Sequence, residues 1–179
     1  MMLENTVLIV IAVVVGGGIV AAIAYYVVRF MRGTIKLSLP RTAFNPGDTI
    51  AGSFDLNTKK AIQGNKLIVS LIGTQVTKTY KDGKTRTRSR EIYRDEVLIE
   101  DAKAYHAGST ATHNFELSVP NMTSPEFLNS TVGQALTAAF RLLSDRSTRL
   151  KWKVEARLDA KGVDLATAKS VSINIRQLV

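Results

Sequence analysis

Arg86, Arg88 and Arg90 alternate with Thr85, Thr87 and Ser89. On an extended chain, side chains two residues apart share a face and stand about 7 Å from one another, so the three guanidinium groups would form a comb. Each guanidinium can take a carboxylate or a phosphate through two parallel hydrogen bonds. Lys78, Lys81, Lys84 and Arg94 surround the comb, opposed in the same stretch by Asp82 and Glu91. The ligands that fit are acidic or phosphorylated groups spaced along an extended peptide, and equally the headgroups of an anionic lipid layer. A solvated, charged edge that blocks strand pairing is the plain structural alternative. Nucleic acid is disfavoured, because only Tyr80 and Tyr93 could stack bases and neither lies within the comb.

Little else in the chain has the makings of chemistry. His106 sits in a Tyr-His-Ala-Gly loop, and His113 is in phase with Phe115, Leu117 and Val119, which places it at the core or its rim. Asp95, Glu96, Glu100 and Asp101 fall on both faces of one strand and have no glycine-punctuated calcium loop around them. There is no cysteine, so thiolate zinc sites, disulfides and cysteine nucleophiles are excluded. No phosphate loop, nucleophile elbow or metalloprotease helix is present in the sequence. The expectation is a chain without catalysis, cofactor or metal site.

The elements that must carry the comb begin with an anchor. No charge interrupts Asn5 to Val28, and residues 7–28 are long enough to cross a bilayer as a helix of roughly 20 residues. Only Glu4 precedes the span, whereas Arg29, Arg32 and Lys36 follow it; all 24 Lys and Arg lie from Arg29 onward. Basic flanks stay on the cytoplasmic side, so the expected topology of this single-pass cell-membrane protein is a short non-cytoplasmic terminus at 1–6, then a cytoplasmic carboxyl domain. Tyr25, Tyr26, Arg29, Phe30 and Arg32 would sit at the inner membrane interface. Gly17, Gly18, Ala21 and Ala22 form two small-xxx-small pairs that would let a second helix pack closely and give a homo-oligomer. Residues 29–32 read as a short basic joint, and 33–179 as one domain.

That domain has the two-residue period of half-buried strands. Ile35, Leu37 and Leu39 alternate with polar residues, as do Phe115, Leu117 and Val119, then Trp152 to Leu158, then Val171, Ile173 and Ile175. Residues 49–56 form another strand, and Lys66 to Tyr80, apolar on both faces at its start, should sit centrally. Lys81-Asp82-Gly83-Lys84 turns this segment back into the strand that follows as a basic hairpin, and Asn45-Pro46-Gly47-Asp48 fits a type II turn. Thr131 to Leu143 departs from the pattern: Val132, Leu136, Phe140 and Leu143 share a helical face, Thr131 with Gln134 fits a capping box, and Pro125 marks the preceding loop. The fold class is all-β: an immunoglobulin-like antiparallel sandwich with one short amphipathic helix, preceded by the single transmembrane helix.

In order, Gly33 to Pro40, Phe44 to Leu56, Leu67 to Gly73, Gly108, Phe115 to Pro120, and Trp152 to Leu158 resemble the elements of an arrestin-fold domain over residues 33–175. The chain is similar to the prokaryotic sporulation-control proteins and the retromer cargo-binding subunit that share this fold. The resemblance implies a sandwich used as a non-catalytic scaffold for recognising tails and cargo. Most members carry two sandwiches, so an interdomain latch does not transfer, and the basic residues on the family's first strand have one counterpart, Lys36. The function expected is therefore a membrane-anchored adaptor for acidic or phosphorylated protein partners. Two alternatives stand beside it: a pilin-like filament subunit built on an apolar amino-terminal helix, and a domain that binds anionic lipid.

Overall fold

Alternating burial sets the smaller of two sheets. The computed structural model describes residues 18, 20, 22–81, 83–121, 124–141 and 147–174. In β1 (Gly33–Ser38) every second residue is buried, and β1 pairs antiparallel with β3 (Thr49–Thr58), which pairs in turn with β7 (Thr110–Ser118). These make a three-stranded sheet whose inner face carries Ile35, Leu37, Ile50, Phe54, Leu56, Phe115 and Leu117. Burying each such side chain contributes about 1.5 to 3 kcal/mol, which commits the register, since a slip of one residue would turn the whole set to water.

The larger sheet is built on β4 (Ile62–Lys81). It lies between β8 (Thr148–Ala160) and β5 (Lys84–Glu100), with β9 (Leu165–Ile173) and the two-residue β2 (Ala43–Phe44) beyond β8. Residues 67–73 of β4 are all buried, so this segment does sit centrally, as its apolar pattern predicts. Leu67, Val69 and Leu71 face the core with Val154, Ala156 and Leu158 across the ladder. Ile68 and Ile72 point to the outer face, where register places Arg157 beside the first, and Lys153 and Arg94 beside the second. The aliphatic stems of these long side chains cover apolar surface while their charges stay wet. Two strands have no counterpart in the sequence reading: β2, which pairs parallel to β9, and β6 (Lys103–Tyr105), which pairs with the start of β4.

The β4–β5 ladder shifts register between Gly73 and Thr74: Gly73 lies opposite Tyr93, Thr74 opposite Glu91, and Ile92 is the extra residue of a bulge. β4 runs on past Gly73 to Lys81. The crowding at Gly73 comes from side chains, since a Cβ here would lie 2.8 Å from the Trp152 ring and 3.1 Å from Tyr93 Cβ. The two aromatic rings meet edge to face with centroids 5.4 Å apart.

Between β7 and β8 the structure holds two helices rather than one. Ser124 caps α2 (Pro125–Asn129) by accepting from the Phe127 amide, so Pro125 opens this helix rather than marking a loop. Ser130 Oγ donates to the Phe127 carbonyl and accepts from the Gly133 amide at 2.9 Å, which makes it the cap of α3 (Thr131–Arg141). The cap thus stands one residue before the expected Thr131, which is the first helical residue. α3 lies against β5 and Phe127 packs on the core edge. Val132 is exposed, the side chains of Leu136 and Phe140 are not described, and Leu143 lies outside the described residues.

A third helix, α1, occupies residues 22–32 and runs directly into β1. Among the described residues no helix is long and apolar enough to cross a membrane. Most of the expected span, including Gly17 and Ala21, lies outside the described residues.

Gly73→Ala should force the Trp152 ring off its seat and cost about 1 to 3 kcal/mol, the range for overpacking a filled core. Trp152 is the sole tryptophan, so urea denaturation followed by its emission reads the change directly. An unchanged midpoint would show that the ring has another place to go.

Candidate anion-binding site

Gly83 adopts φ +72° and lets the chain reverse between Lys81 and Lys84, which face each other across the ladder. Such a two-residue turn fits the right-handed twist of the strands it joins. β8 accompanies β4 as far as Thr77, paired with Thr148, and the Lys78 amide donates to the Ser147 carbonyl at 2.8 Å; beyond this, among the described residues, the hairpin continues as β4 and β5 alone. Residues 84–91 are exposed throughout.

Cross-strand partners share a face, so the register decides which cations act together. Arg86 stands opposite Thr79, Arg88 opposite Thr77 and Arg90 opposite Gln75. This face continues the inner face of the sheet outward past Trp152, and Lys81 and Lys84 close it at the tip. Among the described residues no carboxylate forms an ion pair with any of these cations. The guanidinium groups are therefore open to an incoming anion.

Lys78 and Arg94 belong elsewhere. Lys78 is opposite Thr87, on the other face of the hairpin. Arg94 lies on the far side of the bulge and forks onto Glu91, its Nε and Nη2 both donating at 2.8 Å, while Nη1 donates to Glu96 at 3.3 Å. Glu96 also accepts from the buried Ser70 hydroxyl at 3.2 Å. The hydrogen bond from Arg94 holds the Glu91 carboxyl below its usual range, and Glu91 in return keeps the guanidinium charged more firmly than usual. Arg94 is thus already satisfied within the sheet.

The other expected residues are dispersed. Tyr25, Tyr26, Arg29, Phe30 and Arg32 all lie on α1, with the two tyrosine rings edge to face at 5.8 Å. Gly18 and Ala22, one of the two packing pairs, are exposed, while the other pair, Gly17 and Ala21, lies outside the described residues. Lys36 is exposed on the smaller sheet, away from the hairpin. His113 stacks on Phe54 at the rim of the core, as its phase predicts, with centroids 5.2 Å apart. The His106 carbonyl accepts from the Thr58 hydroxyl at 2.6 Å. Among the described residues no cluster of His, Asp or Glu is placed to hold a metal ion. Tyr93, beside Trp152, has its phenol pushed up to about 12 by burial, with Asp95 adding to the effect.

A family model described as the arrestin (or S-antigen) C-terminal domain matches residues 33–159. The chain belongs to the arrestin family. Among solved structures, the sporulation control protein Spo0M from Bacillus subtilis shares the arrestin-like sandwich with a TM-score of 0.53 at 14% identity. The likeness covers 79% of this chain and 49% of that one, so the chain spans about half the length of the structure it matches. No curated protein matches the sequence. The arrestin match runs from β1 nearly to the end of β8 and includes the bulge and the whole basic hairpin, while β9 lies beyond it.

Replacing Arg94 with Gln should return the Glu91 pKa toward the ordinary carboxylate value of about 4.3, read by carboxyl chemical shifts in an NMR titration. Because the folded value is depressed, the stability Glu91 lends is complete above that value and is lost as pH falls through the folded one. The variant's denaturation midpoint should accordingly fall less than the parent's between neutral and acid pH. The pair is largely exposed, so the difference will be small.

Proposed function

We propose that this arrestin-family chain is a non-catalytic adaptor, held at the cytoplasmic face of the cell membrane by its apolar amino-terminal segment, which docks acidic or phosphorylated protein segments on the β4–β5 hairpin. The observation that carries the reading is the alignment of Arg86, Arg88 and Arg90 on one exposed face with no internal carboxylate partner among the described residues. Their spacing of about 7 Å equals that of alternate residues on an extended peptide, so a partner with acidic or phosphorylated residues at every second position meets all three.

Position favours a protein over a lipid surface for this site. β4 begins at the end of the sandwich where α1 enters and reaches the middle of the comb, Thr77 opposite Arg88, fifteen residues later, roughly 50 Å away at about 3.3 Å per residue. The Debye length at physiological salt is about 8 Å, so a bilayer at the anchored end exerts no useful pull on these arginines. Family membership favours the adaptor over a filament subunit, because the arrestin-like sandwich is typically a scaffold for recognition. Tethering supports the reading further, since it raises the effective concentration of membrane partners and lets a modest site suffice.

The triple variant Arg86→Ala, Arg88→Ala, Arg90→Ala should bind an extended peptide with phosphoserine at alternate positions at least tenfold more weakly, on the order of one charge-assisted bond or more. Lys78→Ala, on the opposite face, should bind as the parent does. Both should unfold within about 0.5 kcal/mol of the parent, as exposed substitutions do. Equal affinity for parent and triple variant would refute the site. For the topology, a carboxyl-terminal tag should survive protease added to intact cells and be digested once they are opened.

A further inference from the structure

A second basic cluster lies at the opposite end of the sandwich from the comb. The last turn of α1 does not hang from the domain as a loose joint. The Arg32 carbonyl accepts from the backbone amides of Lys59 at 2.8 Å and Lys60 at 3.3 Å, so the β3–β4 turn caps the helix. Arg32 Nη1 donates to the Lys161 carbonyl in the β8–β9 turn at 3.0 Å, and Arg29 donates to the Ala166 carbonyl. Lys59 Nζ stands 3.4 Å from the centre of the Phe30 ring, a cation–π contact on the helix itself. Beside these contacts a cleft of about 230 Å³ opens between Tyr26, Phe30 and Leu165.

The two arginines therefore fasten the helix, while Lys59, Lys60 and Lys161 stand exposed around it as a collar. None of the three is ion-paired with a carboxylate among the described residues. Immediately above the collar the helix exposes Ile23, Tyr25, Tyr26, Val27, Phe30 and Met31. Apolar and aromatic side chains over a ring of cations match the layering of acyl chain, interface and anionic headgroup.

We infer that Lys59, Lys60 and Lys161 form a binding collar for anionic phospholipid headgroups, which seats the sandwich upright on its anchor and holds the comb away from the bilayer. This rests on the membrane reading above and adds to it a lipid site that only the folded chain assembles, because its lysines come from two turns about a hundred residues apart in sequence. Attraction of each basic residue to an anionic surface corresponds to about a fivefold preference near the headgroups and fades within a Debye length.

The test reconstitutes the full chain in vesicles of equal parts phosphatidylcholine and phosphatidylglycerol, with spin-labelled forms of each lipid reporting which is held at the protein. The parent should hold phosphatidylglycerol at least about fivefold over phosphatidylcholine. Lys59→Ala, Lys60→Ala, Lys161→Ala together should bring the ratio near parity, the corresponding Lys→Arg variant should keep it, and the comb variant should leave it unchanged. A preference that survives the collar variant, or is lost in the comb variant, overturns the inference. Alkaline carbonate extraction of the same vesicles separates the two readings. A chain that resists extraction yet shows no preference ends the collar alone; one that is extracted while its preference persists ends the anchor and leaves the collar; one that is extracted without preference ends both.

Discussion

The organisation of this chain turns on a single extra residue. Ile92 bulges out of β5 opposite the junction of Gly73 and Thr74, and on either side of it the even-numbered residues of β5 occupy opposite faces. Inside the bulge Arg94 and Glu96 point outward, where they form a charged lattice with Glu91 and Ser70. Outside it Arg90, Arg88 and Arg86 stand on the inner face, extended past the end of the core. A continuous ladder would have set all four arginines on the outer face beside the acidic groups. The bulge separates cations that belong to the sheet's own charge balance from cations left open to a partner.

Gly73 makes that separation compatible with packing. β4 changes role at this point, being buried on both faces from Leu67 to Gly73 and progressively exposed from Thr74 onward. The absence of a side chain lets Trp152 lie over the backbone and Tyr93 close against its edge. The aromatic pair thus closes the core beside Gly73, and α3 also lies against β5. One strand therefore serves as the spine of the sandwich and as the arm of the hairpin, and the rigidity of the first half positions the second.

What the sequence made legible followed from burial on one face. β1, the end of β7, β8 and β9 alternate because one side of each meets the core, and the Asp-Gly turn was readable because few residues tolerate the φ that Gly83 adopts. β2 and β6 were invisible, since two or three residues carry no period. The bulge was invisible for a different reason: from Lys84 to Arg94 the cations recur at even positions with a single gap at Ile92, so parity in the sequence joined Arg94 to the comb. Only the pairing shows that parity changes its meaning at that gap. The helix cap shifted by one residue because Ser130 and Thr131 are chemically alike, and the choice belonged to the Phe127 carbonyl that Ser130 also satisfies.

The two basic clusters then divide along the length of β4. Helix α1 is fastened where β4 begins, through the backbone of Lys59 and Lys60 and the carbonyls of Lys161 and Ala166, and the comb lies where β4 ends. A long strand buried between two neighbours resists bending, so a contact at one end is not relayed into a loose domain at the other. It fixes where the comb can reach. In the proposed tethered arrangement this geometry would select partners by height above the membrane as well as by charge, because a comb roughly 50 Å from the anchored end, at about 3.3 Å per residue, would meet segments that project well beyond the headgroups. Under that proposal, selection by distance would also let a site made only of arginines, which bind any polyanion, be discriminating: lipid phosphates would be abundant, yet many Debye lengths out of its range.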